Sequence, residues 1–390
     1  MIYLDHHAAT PLHPEARRAM AEVDETAWGN PSSAHAAGRR ARGILEGARE
    51  IIAGAVGARP ADLVLTGGGT EACNLGLRAP PAPEHRLTGL IASGVEHPAV
   101  GETVRDLSER GGVPLRILDL PAGRPPPGEA LRALLQAFLE KTDADPKGIL
   151  VALQWVNHET GTILPIPDYA EVVRQAGATL FVDATQALGK VPVDVAASGA
   201  HRVAFAAHKV GGPAGAGALW VDRSRGLEPV LTGGSQERGR RPGTPDVRSQ
   251  AGFAGALRSL PDRLAALPRL ARGRDRLEGV ARAHRAVVNG AAGPRVATVT
   301  NVSVPGWRGP ALVAALDLEG LAASSGAACS SGLDAPSPVL RAMSPEEPWR
   351  AESALRLSLG PETTEDELEG AAAILGRVLP RAGNASPATG

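Results

Sequence analysis

The sequence predicts an α/β fold with a mostly parallel sheet, joined to a smaller α+β unit. Short apolar runs alternate with helix-like stretches from about residue 30 to residue 225. The runs at 148–156 and 179–183 are continuously apolar, as in strands that are covered on both faces. Seven strands of one sheet are predicted, at 62–66, 87–93, 114–120, 148–156, 179–183, 202–206 and 217–221.

The remaining elements follow from periodicity and from turn residues. Residues 34–57 predict an amphipathic helix, and the loop at 122–130 opens another. After about residue 250 come helix patterns, strands at 296–304 and 353–360, and a last helix over about 364–378. The apolar face of the first helix consists of Ile44, Ala48, Ile51, Ile52 and Ala55.

These patterns predict two domains and a tail. Residues 15–255 form the large α/β domain, and residues 1–14 with 256–380 form the small α+β domain. We expect the tail at 381–390 to be disordered, because it is rich in small and polar residues.

Composition excludes several classes of protein. The net charge of −1 is unlike that of proteins that bind nucleic acid or anionic membranes. No run approaches 18 apolar residues, and MIYLDHHAAT does not read as a signal peptide. Two cysteines are too few for a disulfide framework. We therefore expect a cytoplasmic protein without a membrane span.

A glycine turn follows the strand at 62–66. The segment GGGTEACN (67–74) places Thr70 and a helix start after three glycines, so backbone N–H groups and a hydroxyl could bind an anion. The pattern is neither the dinucleotide fingerprint nor a Walker loop, and it favours neither NAD nor ATP. The structural alternative is a turn in which Thr70 caps the helix.

Two further strands also end at polar residues. His97 in GVEHPAV and Asn157 in NHETG are ligand candidates, because ligands bind at the carboxyl ends of parallel strands. Each has a structural alternative, since a lone histidine is often structural and residues 157–161 can form a turn.

Asp183 and Lys209 follow two buried strands. A carboxylate such as Asp183, with Gln186 close behind it, needs a positive partner unless it caps a turn. Lys209 in FAAHKVGGPAGAG could be a solvated surface lysine, but a desolvated amine is a nucleophile. A lysine, a buried carboxylate and an anion-binding turn are the protein parts of a pyridoxal 5′-phosphate site. Their order at successive strand ends favours that site.

Cysteine usage offers one candidate nucleophile. Cys329 lies in AASSGAACSSG, a run of small residues typical of a mobile loop. A reactive cysteine must be accessible and carry thiolate character, and the alternative is a small buried apolar residue. Cys73, near a helix start, fits that alternative.

Ten segments match, in order, the motifs of one enzyme family. They are YLDHHAATPLHP, GNPSSAHAAGRRA, LTGGGTEACNL, EHPAV, NHETGTILPI, VDATQALGKVPVDV, AHKVGGPAGAGAL, GGSQERGRRPGTPDV, SSGAACSSG and ALRLSLG. The chain resembles the cysteine desulfurases over about residues 3 to 375. Those are fold type I pyridoxal-phosphate enzymes of the class V aminotransferase group. The resemblance implies a homodimer that takes L-cysteine as substrate.

The resemblance also implies a role for each matching residue. Lys209 would carry the cofactor as a Schiff base, and Asp183 would hold its pyridinium nitrogen. His97 would stack on the ring as an acid/base, and Gln186 would bond the ring hydroxyl. The implied phosphate ligands are Thr70 and His208, beside Gly69 and with Thr244 reaching across the dimer interface.

Three further residues would act on the substrate. Asn157 would contact the cofactor or the substrate carboxylate, and Arg356 would pair with that carboxylate in a bidentate manner. Cys329 would be the nucleophile that accepts sulfur as a persulfide, releases L-alanine and passes the sulfur to an acceptor protein. The alternatives are a selenocysteine lyase, another class V enzyme, or a non-catalytic sulfur-assembly scaffold. The acceptor, in iron–sulfur cluster assembly or another pathway, and any activating partner stay open.

The chain departs from the family at three places. Ala206 stands where the family has a Ser or Thr that binds the phosphate, Pro213–Gly215 reads Pro-Ala-Gly for Pro-Lys-Gly, and DHHAAT replaces Asp-Asn-Ala-Ala-Thr. The loss of one hydroxyl bond costs about 1–3 kcal/mol. We therefore expect weaker cofactor retention than is typical of the family.

Overall fold

A computed structural model describes residues 1–82, 84–142, 144–326 and 335–381. In chain order the strands are β1 (Ile2–Tyr3), β2 (Leu63–Thr66), β3 (Gly89–Ser93), β4 (Leu115–Leu118), β5 (Ile149–Gln154), β6 (Thr179–Asp183), β7 (Arg202–Ala206), β8 (Gly217–Val221), β9 (Val287–Val288), β10 (Val299–Ser303), β11 (Leu321–Ala322) and β12 (Ala354–Ser358).

The helices are α1 (Pro14–Thr26), α2 (Ala36–Ala55), α3 (Gly69–Arg78), α4 (Pro98–Glu109), α5 (Gly128–Thr142), α6 (Ile166–Gln175), α7 (Val195–Ser198), α8 (Val247–Leu257), α9 (Leu260–Ala265), α10 (Leu267–Ala283), α11 (Gly309–Leu318), α12 (Pro338–Met343), α13 (Trp349–Glu352) and α14 (Glu365–Val378). Among the described residues, no helix has the length and apolarity that a bilayer span requires.

A seven-stranded sheet lies at the centre, in the order β2-β8-β7-β6-β5-β3-β4. Strand β8 runs antiparallel to both of its neighbours, and the other pairs are parallel. The predicted α/β fold with a mostly parallel seven-stranded sheet is confirmed. Each of its predicted strands begins and ends within two residues of the observed one. Six of them are buried along their whole length, as apolar runs covered on both faces predict, and the seventh, β4, lies at the edge of the sheet and is partly exposed.

The two faces of the sheet belong to two different apolar cores. On β5, Val151 and Leu153 enter the core that α1, α2, α5, α6 and α8 cover. Leu150 and Ala152, which alternate with them, enter the core beneath α3 and α4. The predicted apolar face of α2 packs in the first of these cores, so that interpretation is confirmed.

The carboxyl-terminal part of the described chain builds a third core. Strands β12, β10 and β9 form an antiparallel sheet in that order, and β1 pairs in parallel with β11. Leu4 joins side chains of α10, α11 and α14 in this core. The domain bounds at 15–255, 1–14 and 256–380 stay a prediction. Arg381, assigned by the sequence to the tail, ends a 3₁₀ turn and donates to Glu319, and the rest of the tail lies outside the described residues.

Candidate active site

A cavity of about 420 Å³ lies at the carboxyl ends of the central strands. Parallel strands bring the loops that follow them to one edge of the sheet, which is where α/β proteins bind ligands. The structure brings seven of the sequence-predicted site residues together there. They are Gly69, Thr70, His97, Asp183, Gln186, His208 and Lys209.

The glycine turn and the amino end of α3 form one side of the cavity. Gly68 has a φ of 147°, a conformation that glycine adopts and other residues rarely do. A Cβ on Gly69 would lie 3.0 Å from the Cβ of Ala206, so a larger residue here would crowd the end of β7. The first N–H groups of a helix lack intrahelical partners, and the helix dipole favours an anion at this end. This side of the cavity can therefore hold a phosphate.

The carboxylate of Glu71 lies beside that turn, but its negative charge does not disfavour the binding of an anion there. Its Oε1 accepts a hydrogen bond from Arg241 Nε at 2.6 Å, and its Oε2 accepts one from the Gly67 N–H. Burial alone raises the pKa of Glu71, but these hydrogen bonds hold it below the ordinary value. The negative charge is thus neutralised locally.

Asp183 places a carboxylate in the cavity, at the end of β6. Its Oδ1 accepts a hydrogen bond from the Thr185 N–H at 2.9 Å. Asp183 therefore also caps the turn that follows, which is the structural role predicted from the sequence as the alternative. Burial raises the pKa of the neighbouring Glu96 to about 8, and Asp183 contributes to that rise. Glu96 is therefore protonated at pH 7.

Lys209 lies in a 3₁₀ turn directly after β7. Its Nζ donates to the carbonyl oxygens of His7 at 2.6 Å and Ala8 at 2.8 Å. Gln186 Nε2 donates to the same His7 oxygen, while Gln186 Oε1 is buried without a hydrogen-bond partner in the described part of the chain. The amino-terminal segment thus orients the amine, and Gln186 keeps an acceptor for a ligand hydroxyl.

The histidines of the cavity are neutral at pH 7. His97 caps α4, since its Nδ1 accepts the Ala99 N–H at 3.1 Å, and the ring proton is therefore on Nε2. Burial lowers the pKa of His97, while Asp183 raises it and Lys209 lowers it. Burial, with Lys209, Lys190 and His97, lowers the pKa of His208 to about 4. The His158 ring meets the His97 ring edge to face, 5.2 Å between centroids.

Two predicted site residues are engaged outside the cavity lining. Asn157 is fully buried and folds its own turn, because its Oδ1 accepts the Glu159 and Thr160 N–H groups and its Nδ2 donates to Val95. Arg356, on β12 and 2% exposed, pairs through Nη2 with Asp5 Oδ1 at 2.8 Å. Its Nη1 donates to the His158 carbonyl oxygen.

Thr244 is not among the described residues that line the cavity. Thr244 is exposed in the segment before α8, and the contact predicted for it belongs to a second subunit. Cys329 lies outside the described residues, and its role stays a prediction. Cys73 is buried in α3 and lines the cavity, and burial raises the pKa of its thiol well above the ordinary value, with Asp183 and Glu96 adding to the rise.

Sequence reasoning missed Thr185, Gln154 and His158, which also line the cavity. Of these three residues, Thr185 bears most on phosphate binding. A Cβ on Gly69 would lie 3.2 Å from Thr185 Oγ1 and 3.0 Å from the Ala206 Cβ, so the hydroxyl stands beside the position where Ala206 lacks one. A threonine two residues past the carboxyl end of a strand was a signal that could have found it.

The sequence of the chain is similar to proteins of one family. The family model described as "Aminotransferase class-V" matches residues 2–370. An "IscS-like cysteine desulfurase" of Mycobacterium tuberculosis is 41% identical, over 99% of this chain and 98% of that protein. A "Cysteine desulfurase" of Bradyrhizobium diazoefficiens is 36% identical, over 100% of this chain and 97% of that protein.

Solved structures are similar as well. A structure named "NIFS-LIKE PROTEIN" has a TM-score of 0.86 and 28% sequence identity, over 97% of this chain and 99% of its own. "SspA in complex with cysteine" has a TM-score of 0.78 and 27% identity, over 93% of this chain and 100% of its own.

Proposed function

The chain belongs to the class-V aminotransferase family, and from that premise we propose that it is a pyridoxal-phosphate-dependent cysteine desulfurase. It converts L-cysteine to L-alanine and passes the sulfur through an enzyme persulfide to an acceptor. One observation supports this most strongly: a single cavity joins Lys209, Asp183 and the glycine turn. These are the amine, the carboxylate and the anion cradle that the cofactor needs.

The residues of the cavity fit pyridoxal 5′-phosphate. The turn at 67–70 and the amino end of α3 suit a dianionic phosphate, and Thr185 and His208 offer further donors. Asp183 suits a protonated ring nitrogen, and the unpartnered Gln186 Oε1 suits a ring hydroxyl. When bound, the cofactor supplies an electron sink for the bonds of the substrate's α-carbon.

Lys209 and His97 perform the proton work in this proposal. The carbonyl oxygens of His7 and Ala8 hold the Lys209 amine in one position at the cavity wall. An amine fixed there is placed both for covalent attachment and for general acid/base transfer. Neutral His97 has its proton on Nε2, so it is able to donate from that atom while its Nδ1 stays bonded to α4.

The substrate carboxylate is assigned to Arg356. Asp5 and the His158 carbonyl oxygen occupy part of its guanidinium, and its buried Nε has no hydrogen-bond partner in the described ranges. Asp5 therefore acts as a positioning residue that fixes the plane of the guanidinium. A fixed fork suits a planar carboxylate.

The sulfur step is assigned to Cys329. Its thiolate attacks the sulfur of the substrate, an S–S bond forms and the substrate C–S bond breaks. The electron pair of the broken bond stays on carbon, which takes up a proton to become the methyl group of alanine. A homodimer, in which Thr244 reaches the phosphate of the other subunit, and an acceptor protein complete the proposal.

Alanine and sulfide formation from L-cysteine under a thiol reductant tests this function. We expect both products, in equal amounts, only when pyridoxal 5′-phosphate is bound. Cys329→Ser should abolish sulfide release and keep the visible absorbance of the bound cofactor, and Ser224→Ala, at an exposed residue away from the cavity, serves as the control. Sulfide release from Cys329→Ser at the wild-type rate, or no alanine from the loaded wild-type enzyme, contradicts the proposal.

A further inference from the structure

Lys209 also lines a second and much smaller cavity. Its volume is about 10 Å³, enough for one water-sized species. Its polar lining comes from five separate parts of the chain, namely the amino-terminal segment, the loop after β6, the turn after β7, α9 and the loop before β10. The residues concerned are His6, Thr10, Lys190, Lys209, Arg263 and Thr298.

Four buried nitrogen atoms of this lining lack a hydrogen-bond partner among the described residues. They are Lys190 Nζ, Arg263 Nε and Nη2, and His6 Nδ1. Lys190 is 7% exposed and Arg263 is 6% exposed. A buried donor without a partner destabilises the folded state, so several such donors in one place indicate that a water or an ion satisfies them.

The charges around this cavity are positive. No carboxylate lines it in the described part of the chain, and the charged groups that act on Lys190 are Lys209 and Arg263. The nearest acid to Arg263 is Glu362, whose Oε1 lies 3.7 Å from Nη2 and whose side chain is 56% exposed. An exposed carboxylate at that distance compensates a buried cation poorly.

Lysines are rare in this chain, and two of them lie at the small cavity. Only four of its 41 lysine and arginine residues are lysines, and two of these four, Lys190 and Lys209, line the small cavity. Burial lowers the pKa of Lys190 well below the ordinary value, and Lys209 and Arg263 lower it further. A lysine in this position is either neutral or compensated by a bound negative charge.

We propose that this cavity, named here the Lys190 site, binds one small monovalent anion of the halide class, with chloride as the physiological form. The donors are the Lys190 ammonium and the Nε and Nη2 groups of Arg263. A halide has no directional acceptor geometry and satisfies several N–H groups at once, whereas one water would leave two buried cations uncompensated.

The anion would connect parts of the chain that are far apart in sequence. His6 packs against Gly360 beyond β12, Lys190 follows β6 and Arg263 belongs to α9. One negative charge between Lys190 and Arg263 therefore stabilises the folded state, in which these segments meet, and not the unfolded chain. Stabilisation by chloride follows by mass action.

Two measurements on the full-length chain test the site. The first is thermal unfolding in sodium chloride against sodium gluconate at matched ionic strength, because gluconate is far too large for the cavity. We expect chloride at ten times its dissociation constant to raise the ratio of folded to unfolded protein about tenfold. Lys190→Met should lose this dependence, and Lys147→Met, at an exposed lysine, should keep it.

The second measurement needs no variant and stands even if Lys190→Met fails to fold. Crystals of the wild-type protein grown in bromide should show an anomalous peak between Lys190 and Arg263. A water in place of the bromide, equal stability in chloride and gluconate, or a chloride effect that survives in Lys190→Met overturns the proposal. None of these readouts depends on enzyme activity, so they are independent of the proposed function.

Discussion

Asp5 Oδ1 lies 2.8 Å from Arg356 Nη2, in an ion pair that joins residues 351 positions apart in the chain. The arginine side chain is 3% exposed and the aspartate side chain 19% exposed. Removal of one partner of such a pair leaves the other with an uncompensated charge. The pair therefore fixes the orientation of the Arg356 guanidinium, to which the proposed function assigns the substrate carboxylate.

We expect Asp5→Asn to raise the KM for L-cysteine about tenfold and to change kcat less. The neutral amide keeps the shape of the side chain but holds the guanidinium more weakly. Steady-state kinetics with L-cysteine measures this split. The matched control is Asp24→Asn, which removes the exposed Asp24–Arg248 pair of the same 2.8 Å length. An unchanged KM in Asp5→Asn means that Arg356 does not depend on Asp5 for substrate binding.

The lack of a hydroxyl at Ala206 leads to a second prediction. Ala206→Ser should tighten cofactor binding and Thr185→Val should weaken it, each by about tenfold, since one hydrogen bond to a charged group contributes about 1–3 kcal/mol. Absorbance titration of the cofactor-free protein gives both dissociation constants. Thr26→Val, on the exposed side of α1, is the control. If Thr185→Val binds the cofactor as tightly as the wild type, Thr185 is not a phosphate ligand.

Glu96 leads to a prediction on pH and stability. Its pKa is about 8 in the folded protein and 4.5 is its ordinary value, so the folded state holds a proton that the unfolded state releases first. The resulting stability is complete below pH 4.5 and is lost as the pH rises through 8. Between pH 5 and pH 8 this single group lowers the free energy of unfolding by about 3 kcal/mol.

We expect Glu96→Gln to remove most of that decline, because the amide resembles the protonated carboxyl. Urea unfolding of the cofactor-free protein at several pH values measures it, with the exposed Glu22→Gln as control. A decline of the same size in Glu96→Gln assigns the pH dependence to other groups.

Much of the fold follows from local patterns. The strands β5, β6 and β7 could be predicted, because a continuous apolar run indicates a strand buried on both faces even when its pairing partners are unknown. The cavity residues are readable because a parallel sheet gathers its carboxyl ends at one edge, whatever the lengths of the connections. Asp183 and Lys209 line the same cavity for that reason.

Contacts between segments that are distant in the chain could not be predicted from the sequence. Nothing near Asp5 in the sequence indicates a pair with Arg356, and nothing near Lys190 indicates a cavity shared with Arg263. Asn157 shows a different limit of sequence reasoning. A polar residue at a strand end can bind a ligand, but it can also accept hydrogen bonds from the backbone of its own turn, as Asn157 does. One sequence signal then fits two roles, and only the hydrogen-bond partners separate them.

In the proposed function the cofactor is attached to the Lys209 amine, and the roles of the other residues depend on this bond. Borohydride reduction of the protein loaded with pyridoxal 5′-phosphate, followed by peptide mapping, tests it directly. We expect one modified lysine per chain, in the peptide that contains Lys209, and no modification of the buried Lys190. An unmodified Lys209 after loading with excess cofactor, or a label on Lys190 in its place, contradicts the claim.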